Sequence, residues 1–323
     1  MSARVDLRHP QLQSLLRTQC GVVSRRQLRE AGASDGDILR MRRRKEIRAA
    51  HPGVYVDHTG PLTYEQREWV AVLAAWPAAL SGESAIPGRR PAVIEVAIQH
   101  GRKLDVPDGV RIRRTSGLTE RVRRNSRPPR IRLEEALIDL MSAQVATGDV
   151  AAAFAELTRA CFRRPGLPEA VLRALAQRSR VAGRPIIEGL VTDLRDGACS
   201  VLERGYLHRV ERAHGLPRGS RQVVSEATGR RTVIDVRYDE LGVIVELQGR
   251  AVHDTAEAYD ADAERDLAEA AAGAAETLRI TYGQVFRTPC RTATRIAQVL
   301  RRHGWTGAPR SCPDCPPAAS AAA

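Results

Sequence analysis

The chain of 323 residues is 43% hydrophobic and 28% charged, and its formal net charge is +13 at pH 7. This composition is ordinary for a folded protein of two or three domains. The longest apolar run, AVLAAWPAAL at residues 71–80, is too short to span a bilayer, and the N-terminus lacks the apolar core of a signal peptide. We therefore expect a cytoplasmic protein with no membrane segment.

The positive charge is concentrated in the first two thirds of the chain. Residues 1–199 hold 34 basic and 22 acidic residues, whereas residues 200–305 hold 16 and 15. An excess of this kind favours a polyanionic partner. A genome that prefers Arg and Ala codons would explain part of it.

The six cysteines are scattered, which is typical of a protein in a reducing compartment. Cys312 and Cys315 form one C-x-x-C motif. A structural zinc ion needs four ligands, and no second Cys or His pair follows this motif. We therefore interpret residues 306–323 as a disordered tail and not as a metal site.

Near the N-terminus, the residues follow the pattern of three short helices and a hairpin. Leucines recur at helical spacing over residues 7–18. Ser24 precedes Gln27 by three positions, the pattern of a capping box, and a further cap at Ser34 or Asp35 begins a third helix. The stretch HPGVYV then combines a turn signal with a strand. This order predicts a winged helix-turn-helix.

The third helix of this segment is strongly basic. Residues 17–48 hold 10 basic and 4 acidic residues. Guanidinium groups pair with guanine edges and with phosphates, so we predict that this helix enters the major groove of double-stranded DNA. The alternative is a basic face that is only solvated or that packs against a neighbouring domain. The predicted DNA-binding residues are Arg25, Arg26, Arg40, Arg42, Arg43, Arg44, Lys45 and Arg48.

With its GVVSRRQL helix start and its HPGVYV strand, this segment resembles the winged helix at the N-terminus of AbiEi-type antitoxins of abortive-infection systems. The resemblance covers roughly the first 57 residues. It implies binding to promoter DNA and repression of the protein's own operon. Residues 61–195 contain a helix capped by Thr63, two strands and further helices, and this layout is similar to the region that follows the winged helix in many AbiEi-like proteins.

The stretch TVIDVRYDELGVIVELQ, residues 232–248, predicts two strands joined by a tight turn. If Tyr238 pairs with Val243, Asp235 lies directly opposite Glu246, and Gln248 shares their face. Facing side chains on antiparallel strands have Cβ atoms about 5 Å apart, a span that one hard cation can bridge. A loop of odd length would instead put the carboxylates on opposite faces.

Such a pair of carboxylates suits a Mg²⁺ or Mn²⁺ ion that activates water for phosphodiester hydrolysis. We predict Asp235, Glu246 and the main-chain carbonyl of Leu247 as its ligands. Glu203 reaches the site from the preceding helix, His253 acts as a general base or orients the water, and an arginine clamps phosphate. The predicted catalytic residues are Glu203, Asp235, Glu246, Gln248, His253, Arg265 and Asp266.

Each of these residues also has a structural interpretation. The strand Asp and Glu are typical of a hydrated sheet face, and Glu203 falls three positions after Ser200, as in a capping box. His253 is also typical of a strand-end cap. Arg265 and Asp266 are also typical of a solvated helix face.

The order of these segments resembles the PD-(D/E)XK nuclease fold, and more closely a family of unknown function allied to very-short-patch repair endonucleases. The matching segments are LERGYLHRVERAHGLP, VIDVRYDELGVIVELQGRAVHD, DADAERDLAEAAAG and LRITYGQVF, over roughly residues 200–300. In those relatives the hairpin Asp and the residues of the second strand bind metal, and the helix Glu and the His assist. Gln248 stands where the general E-x-K motif has Lys.

We therefore expect a multidomain α/β and α+β protein. The predicted parts are a winged helix-turn-helix over residues 1–60, a small α+β domain with a helical connector over 61–195, and a restriction-endonuclease-like α/β domain over 196–305, followed by the tail. The first functional hypothesis is a magnesium-dependent DNA endonuclease used in phage defence or repair. The second is an AbiEi-like repressor or antitoxin with a degenerate nuclease fold. A third makes the last domain a docking module for a partner toxin.

Overall fold

The computed structural model of the chain describes residues 5–123, 125–162, 164–196, 200–225, 231–248 and 276–315. Helices and three β-sheets make up these residues, which confirms the mixed α/β class. The chain divides into two compact units, Met1–Asp139 and Leu140–Ala323. The domain bounds expected from the sequence, after residues 60 and 195, stay predictions.

Three short helices and a three-stranded antiparallel sheet of order β1-β3-β2 begin the first unit. Their bounds are α1 (Pro10–Thr18), β1 (Val22–Ser24), α2 (Arg25–Glu30), α3 (Asp35–Arg43), β2 (Arg48–His51) and β3 (Val54–Val56).

Capping boxes set the start of α2 and α3. The box at Ser24 was predicted, and of the two caps considered for α3 the structure has Ser34. Ser24 and Gln27 bond each other's backbone N–H groups, and Ser34 and Asp37 do the same. The apolar side chains of the three helices and of β1 and β3 then close one core, in which Leu12, Leu28, Met41 and Ile47 are fully buried.

A five-stranded sheet of order β6-β5-β4-β8-β7 forms the rest of the first unit. The elements are α4 (Tyr64–Ala74), β4 (Ala78–Leu80), β5 (Ile94–Gln99), β6 (Val110–Thr115), α5 (Leu118–Arg121), β7 (Val122–Arg123) and β8 (Arg130–Ile131). The predicted cap Thr63 begins α4. Val22, Val54 and Val56 of the first sheet pack against Trp69 and Leu73 of α4 in one apolar cluster. Other side chains of α4 pack against β4 and β5 in a separate cluster, so α4 lies between the two sheets.

The second unit carries most of the helices. α6 (Leu133–Ala146) crosses the boundary between the units. It is followed by α7 (Val150–Cys161), α8 (Leu167–Ala176), α9 (Arg184–Asp196) and α10 (Ser200–Gly205), which continues as a π-helical segment, Tyr206–Arg212.

A four-stranded sheet of order β12-β11-β10-β9 follows in this unit. β9 (Ser220–Ser225), β10 (Thr232–Tyr238) and β11 (Val243–Gln248) are antiparallel neighbours, and β12 (Thr277–Thr281) is parallel to β11. Two helices, α11 (Tyr282–Phe286) and α12 (Pro289–Arg302), follow β12.

The two faces of β10 differ in burial. Ile234, Val236 and Tyr238 are buried, whereas Asp235 and Arg237 between them are partly exposed, as the period of two along a strand requires. The hydroxyl of Tyr238 bonds that of Tyr206 at 2.9 Å and donates to the buried Glu211 at 3.2 Å. The π-helical segment is therefore tied to the buried face of the sheet.

The last described residues contact the end of the π-helical segment in the same unit. The N–H of Arg310 donates to the carbonyl of His214 at 2.9 Å, and its guanidinium donates to the carbonyl of Arg212 at 2.8 Å. Residues 306–315 thus make ordered contacts, in contrast to the disordered tail expected from residue 306. Among the helices that the structure describes, none is long and apolar enough to cross a membrane.

Candidate carboxylate site and basic helix

The hairpin of β10 and β11 has the predicted register. Tyr238 pairs with Val243, Arg237 with Ile244 and Val236 with Val245. A turn of 3₁₀ helix at Asp239–Leu241 connects the strands, and Gly242 adopts the left-handed conformation that closes it, with φ of 56°. Continued by one residue, this register sets Asp235 opposite Glu246 on the face that does not carry the buried valines.

The carboxylate of Asp235 is held by the backbone of the neighbouring strand. The N–H of Leu247 donates to Asp235 Oδ2 at 2.7 Å. In an extended strand the N–H and C=O of one residue leave on the same side, so the carbonyl of Leu247 also faces β10. The hydrogen bond thus places the backbone of Leu247 beside Asp235. The cation predicted between Asp235, Glu246 and the carbonyl of Leu247 stays a prediction.

Glu203 on α10 lies within electrostatic range of Asp235. Burial raises the pKa of Glu203 above its ordinary value of 4.5, and the negative charges of Asp235 and Asp193 raise it further. Its Oε1 accepts a hydrogen bond from Gln222 Nε2 at 3.1 Å. The capping-box interpretation paired Glu203 with Ser200. The hydroxyl of Ser200 instead donates to Asp193 at 2.5 Å.

Gln222 reaches Glu203 because the backbone of β9 is irregular at this position. The pairs Ile234–Val223 and Val236–Arg221 flank it, so Gln222 stands opposite Asp235. Its φ of 50° is in the left-handed region, which re-aims a side chain within a strand. The bond from Gln222 thus joins the carboxylate of Glu203 to β9, the strand next to the one that carries Asp235.

Glu246 has a basic neighbour on its other side. In the parallel pairing of β11 with β12, Glu246 is the partner of Arg279 and Gln248 is the partner of Thr281. Paired residues on adjacent strands project to the same face. The side of the hairpin face next to β12 is therefore less acidic than the side next to α10.

Three of the predicted catalytic residues, His253, Arg265 and Asp266, lie outside the described residues. The described members are Glu203, Asp235, Glu246 and Gln248. The negative charge of Asp235 contributes to the raised pKa of Glu203, after burial, and Gln248 is exposed at the end of β11. Sequence reasoning missed Gln222, since its role depends on a backbone angle.

The predicted DNA-binding residues fall into two groups. Arg42, Arg43, Arg44 and Lys45 are exposed in the last turn of α3 and directly after it. Arg44 lies 3.8 Å from Glu46. Within the part of the chain that the structure describes, no hydrogen bond or ion pair engages the side chains of Arg42, Arg43 or Lys45.

The other predicted DNA-binding residues have partners within the first unit. Arg25 pairs with Asp35 and Arg26 with Glu30, both at 2.6 Å. Arg40 bonds Asp37 at 2.6 Å and the carbonyl of Val5 at 2.7 Å, so it supports the start of α3 and the N-terminal segment. The guanidinium of Arg48 donates to the carbonyl of Gly60 at 2.9 Å.

A second cluster of ligand-type side chains lies elsewhere in the second unit. His214, Cys290, Cys312 and Cys315 have their ligand atoms within 4.8 Å of one another. The sequence showed only the C-x-x-C half of this set. His214 and Cys290 lie before that motif and are not adjacent to each other in the chain, so spacing alone does not reveal them.

Comparison with known proteins adds no identification: no family model and no curated protein sequence matches this chain.

Proposed function

We propose that this chain is a DNA-binding protein whose second unit hydrolyses phosphodiester bonds at Asp235 with the help of a divalent cation. The observation that carries the proposal is the placement of two carboxylates: Gln222, which bonds Glu203, stands opposite Asp235 in the sheet. Burial, and then the negative charge of Asp235, raise the pKa of Glu203. Like charges brought together in a partly buried place favour either a shared proton or a cation.

The residues present fit a hard cation such as Mg²⁺ or Mn²⁺. Asp235, Glu246 and the carbonyl of Leu247 would hold it, since all three offer oxygen ligands and the backbone of Leu247 is already bonded to Asp235. Such an ion, when bound, lowers the pKa of a coordinated water and neutralises charge on a phosphate.

Glu203 is suited to take up a proton. Its raised pKa makes it a better base than an ordinary carboxylate, and the bond from Gln222 to Oε1 orients it. Gln248 ends β11, the strand that carries Glu246. Its amide N–H can donate to a phosphate oxygen, although it lacks the charge of a lysine.

The order of the described elements also supports a restriction-endonuclease-like domain. A helix with Glu203 precedes three antiparallel strands, and a fourth strand joins parallel to the third. This order agrees with the resemblance to the PD-(D/E)XK fold. Residues 249–275, between β11 and β12, lie outside the described residues.

DNA binding is assigned to the first unit, where α2, α3 and the three-stranded sheet have the order of a winged helix-turn-helix. The first turn of α3 is acidic, with Asp35 and Asp37, whereas its last turn is basic. Recognition helices contact base edges mainly with their N-terminal residues. We therefore assign Arg42, Arg43 and Lys45 to phosphate contacts and not to base reading.

A second candidate function is a repressor or antitoxin of the AbiEi type with an inactive nuclease fold and a cognate toxin as its partner. The register that pairs Arg279 with Glu246 favours it, because a guanidinium competes with a cation for the same carboxylate. Gln248 in place of a lysine favours it as well.

Calorimetric titration with Ca²⁺ separates these candidates, because it needs no substrate and suppresses turnover. We expect one binding event in the full chain, lost in Asp235→Asn and kept in Glu240→Gln. Asn can still accept the N–H of Leu247, so the first variant removes charge without removing the hydrogen bond. Glu240 is an exposed carboxylate in the turn of the same hairpin.

Cleavage is then measured on supercoiled plasmid with Mg²⁺ or Mn²⁺. Nicking by the wild type that Asp235→Asn abolishes supports the endonuclease. Absence of both cation binding and cleavage, with DNA binding intact, overturns the enzyme and leaves the repressor.

A further inference from the structure

Three segments of the second unit bring one imidazole and three thiols together. His214 follows the π-helical segment, Cys290 lies in the first turn of α12, and Cys312 and Cys315 come from the C-terminal segment. Cys312 Sγ lies 3.6 Å from Cys290 Sγ and 3.7 Å from Cys315 Sγ. Cys315 Sγ lies 3.6 Å from His214 Nε2.

These three distances match three of the six edges of a tetrahedron around a zinc ion, and all four ligand atoms lie within 4.8 Å of one another. With Zn–S bonds of about 2.3 Å and Zn–N bonds of about 2.0–2.1 Å, the S–S edges are about 3.8 Å and the S–N edges about 3.6 Å. A disulfide would need about 2.05 Å between two sulfurs. The thiols are therefore spaced for a shared ion and not for pairing with each other.

Hydrogen bonds around the cluster orient two of the ligands. His214 is 2% exposed, and its Nδ1 lies 3.1 Å from the carbonyl of Val210. A carbonyl can only accept, so the proton is on Nδ1 and the lone pair of Nε2 is directed to the thiols. The N–H of Cys312 donates to Cys315 Sγ at 3.3 Å, and the N–H of Cys315 donates to the carbonyl of Cys312 at 3.1 Å.

We propose that His214, Cys290, Cys312 and Cys315 form a structural zinc site. Three cysteines and one histidine fill all four positions of a tetrahedral ion, which leaves no position for substrate. Thiolate ligands select zinc over magnesium. Binding displaces the protons of the three thiols, and no electron is transferred.

The site fastens the C-terminal segment to the helix that carries Glu203. The bonds from Arg310 to the carbonyls of His214 and Arg212 run beside the cluster. Because one ligand follows the π-helical segment and another begins α12, the ion also joins these two elements. It thereby stabilises the support of the carboxylate site, while its assignment is independent of the proposed hydrolysis.

Metal analysis of the purified full-length chain by inductively coupled plasma mass spectrometry tests the proposal. We expect about one zinc ion per chain. Cys315→Ser loses the ion, Cys315→His keeps it because a ligand is restored, and Cys161→Ser keeps it because Cys161 is a thiol on α7 outside the cluster. Replacement by Co²⁺ gives the intense visible absorption of tetrahedral cobalt thiolate.

Two results overturn the proposal. One is wild-type protein from zinc-supplemented medium that holds no stoichiometric zinc. The other is a disulfide between Cys290 and Cys312 found by mass spectrometry of the unreduced protein. Neither result depends on a variant that fails to fold.

Discussion

We expect the two groups of arginines in the first unit to contribute differently to DNA binding. Arg42 and Arg43 are exposed and unengaged within the described residues, whereas Arg25 and Arg26 have carboxylate partners. A paired arginine adds little net positive field, because its partner repels phosphate. The double variant Arg42→Gln/Arg43→Gln should therefore weaken DNA binding more than Arg25→Gln/Arg26→Gln, although both remove two charges.

The magnitude follows from counterion release. Each phosphate contact contributes about 0.9 to the slope of log affinity against log salt, so loss of two contacts reduces the slope by about 1.8. When salt is raised fourfold, from about 50 to 200 mM, the affinity of both proteins falls. The factor by which it falls is about 12 times smaller for the Arg42→Gln/Arg43→Gln variant than for the wild type. The paired double variant should change the slope by less than about 1.

Fluorescence anisotropy with a labelled DNA duplex of mixed sequence, repeated over a salt series, measures both slopes. Arg173→Gln, an exposed arginine on α8, controls for the loss of one positive charge outside the first unit. Equal slopes for the two double variants would refute the assignment of phosphate contacts to the end of α3. A wild-type chain that binds no duplex would refute DNA binding altogether.

Three further predictions concern stability. Replacing the buried Glu211 by Ala leaves Arg221, 2.7 Å away, without its partner and should destabilise the second unit by about 3–5 kcal/mol in urea unfolding. Gly205→Ala should destabilise it by about 1–3 kcal/mol in the same assay, because the new methyl group would overlap the ring of Phe286. Hydrogen bonds from the hydroxyl and the N–H of Ser34 lower the pKa of Asp37 from 3.8 to about 2. The contribution of Asp37 to folding stability is therefore present above pH 3.8 and is lost as pH falls towards 2. The stability difference between wild type and Asp37→Asn should shrink over that interval in acid titrations followed by circular dichroism.

Local rules predicted the parts of the fold that depend on neighbours in sequence. The caps at Ser24, Ser34 and Thr63 follow from side chains that bond backbone groups three residues away. The hairpin register follows from the two-residue period of the strands, which leaves few pairings once the turn is placed.

Features that depend on distant residues were beyond the reach of the sequence. The left-handed backbone angle of Gln222 cannot be predicted from the residue types around it. The parallel pairing that sets Arg279 beside Glu246 joins residues 33 positions apart, and the strand pattern alone does not determine its register. The engagement of Arg40 by the carbonyl of Val5 joins residues 35 positions apart.

The second unit thus has a group of thiols suited to zinc and a group of carboxylates suited to magnesium or calcium. Tests of metal dependence must therefore distinguish the two sites. Chelators remove ions of both kinds, so loss of cleavage in their presence cannot distinguish the two sites. Asp235→Asn should abolish Ca²⁺ binding and leave the zinc content unchanged. Cys315→Ser should lose zinc and lower the thermal midpoint of the second unit, and any loss of cleavage should be restored by Cys315→His.

The reverse pattern would contradict this division. If Asp235→Asn removed zinc, the carboxylates and thiols would share one ion, against the closed set of four ligands, three of whose separations fit the edges of a tetrahedron. If Cys315→Ser abolished Ca²⁺ binding while the thermal midpoint was unchanged, the thiol would act directly at the carboxylate site. Since thiolates are poor ligands for calcium and magnesium, we expect neither result.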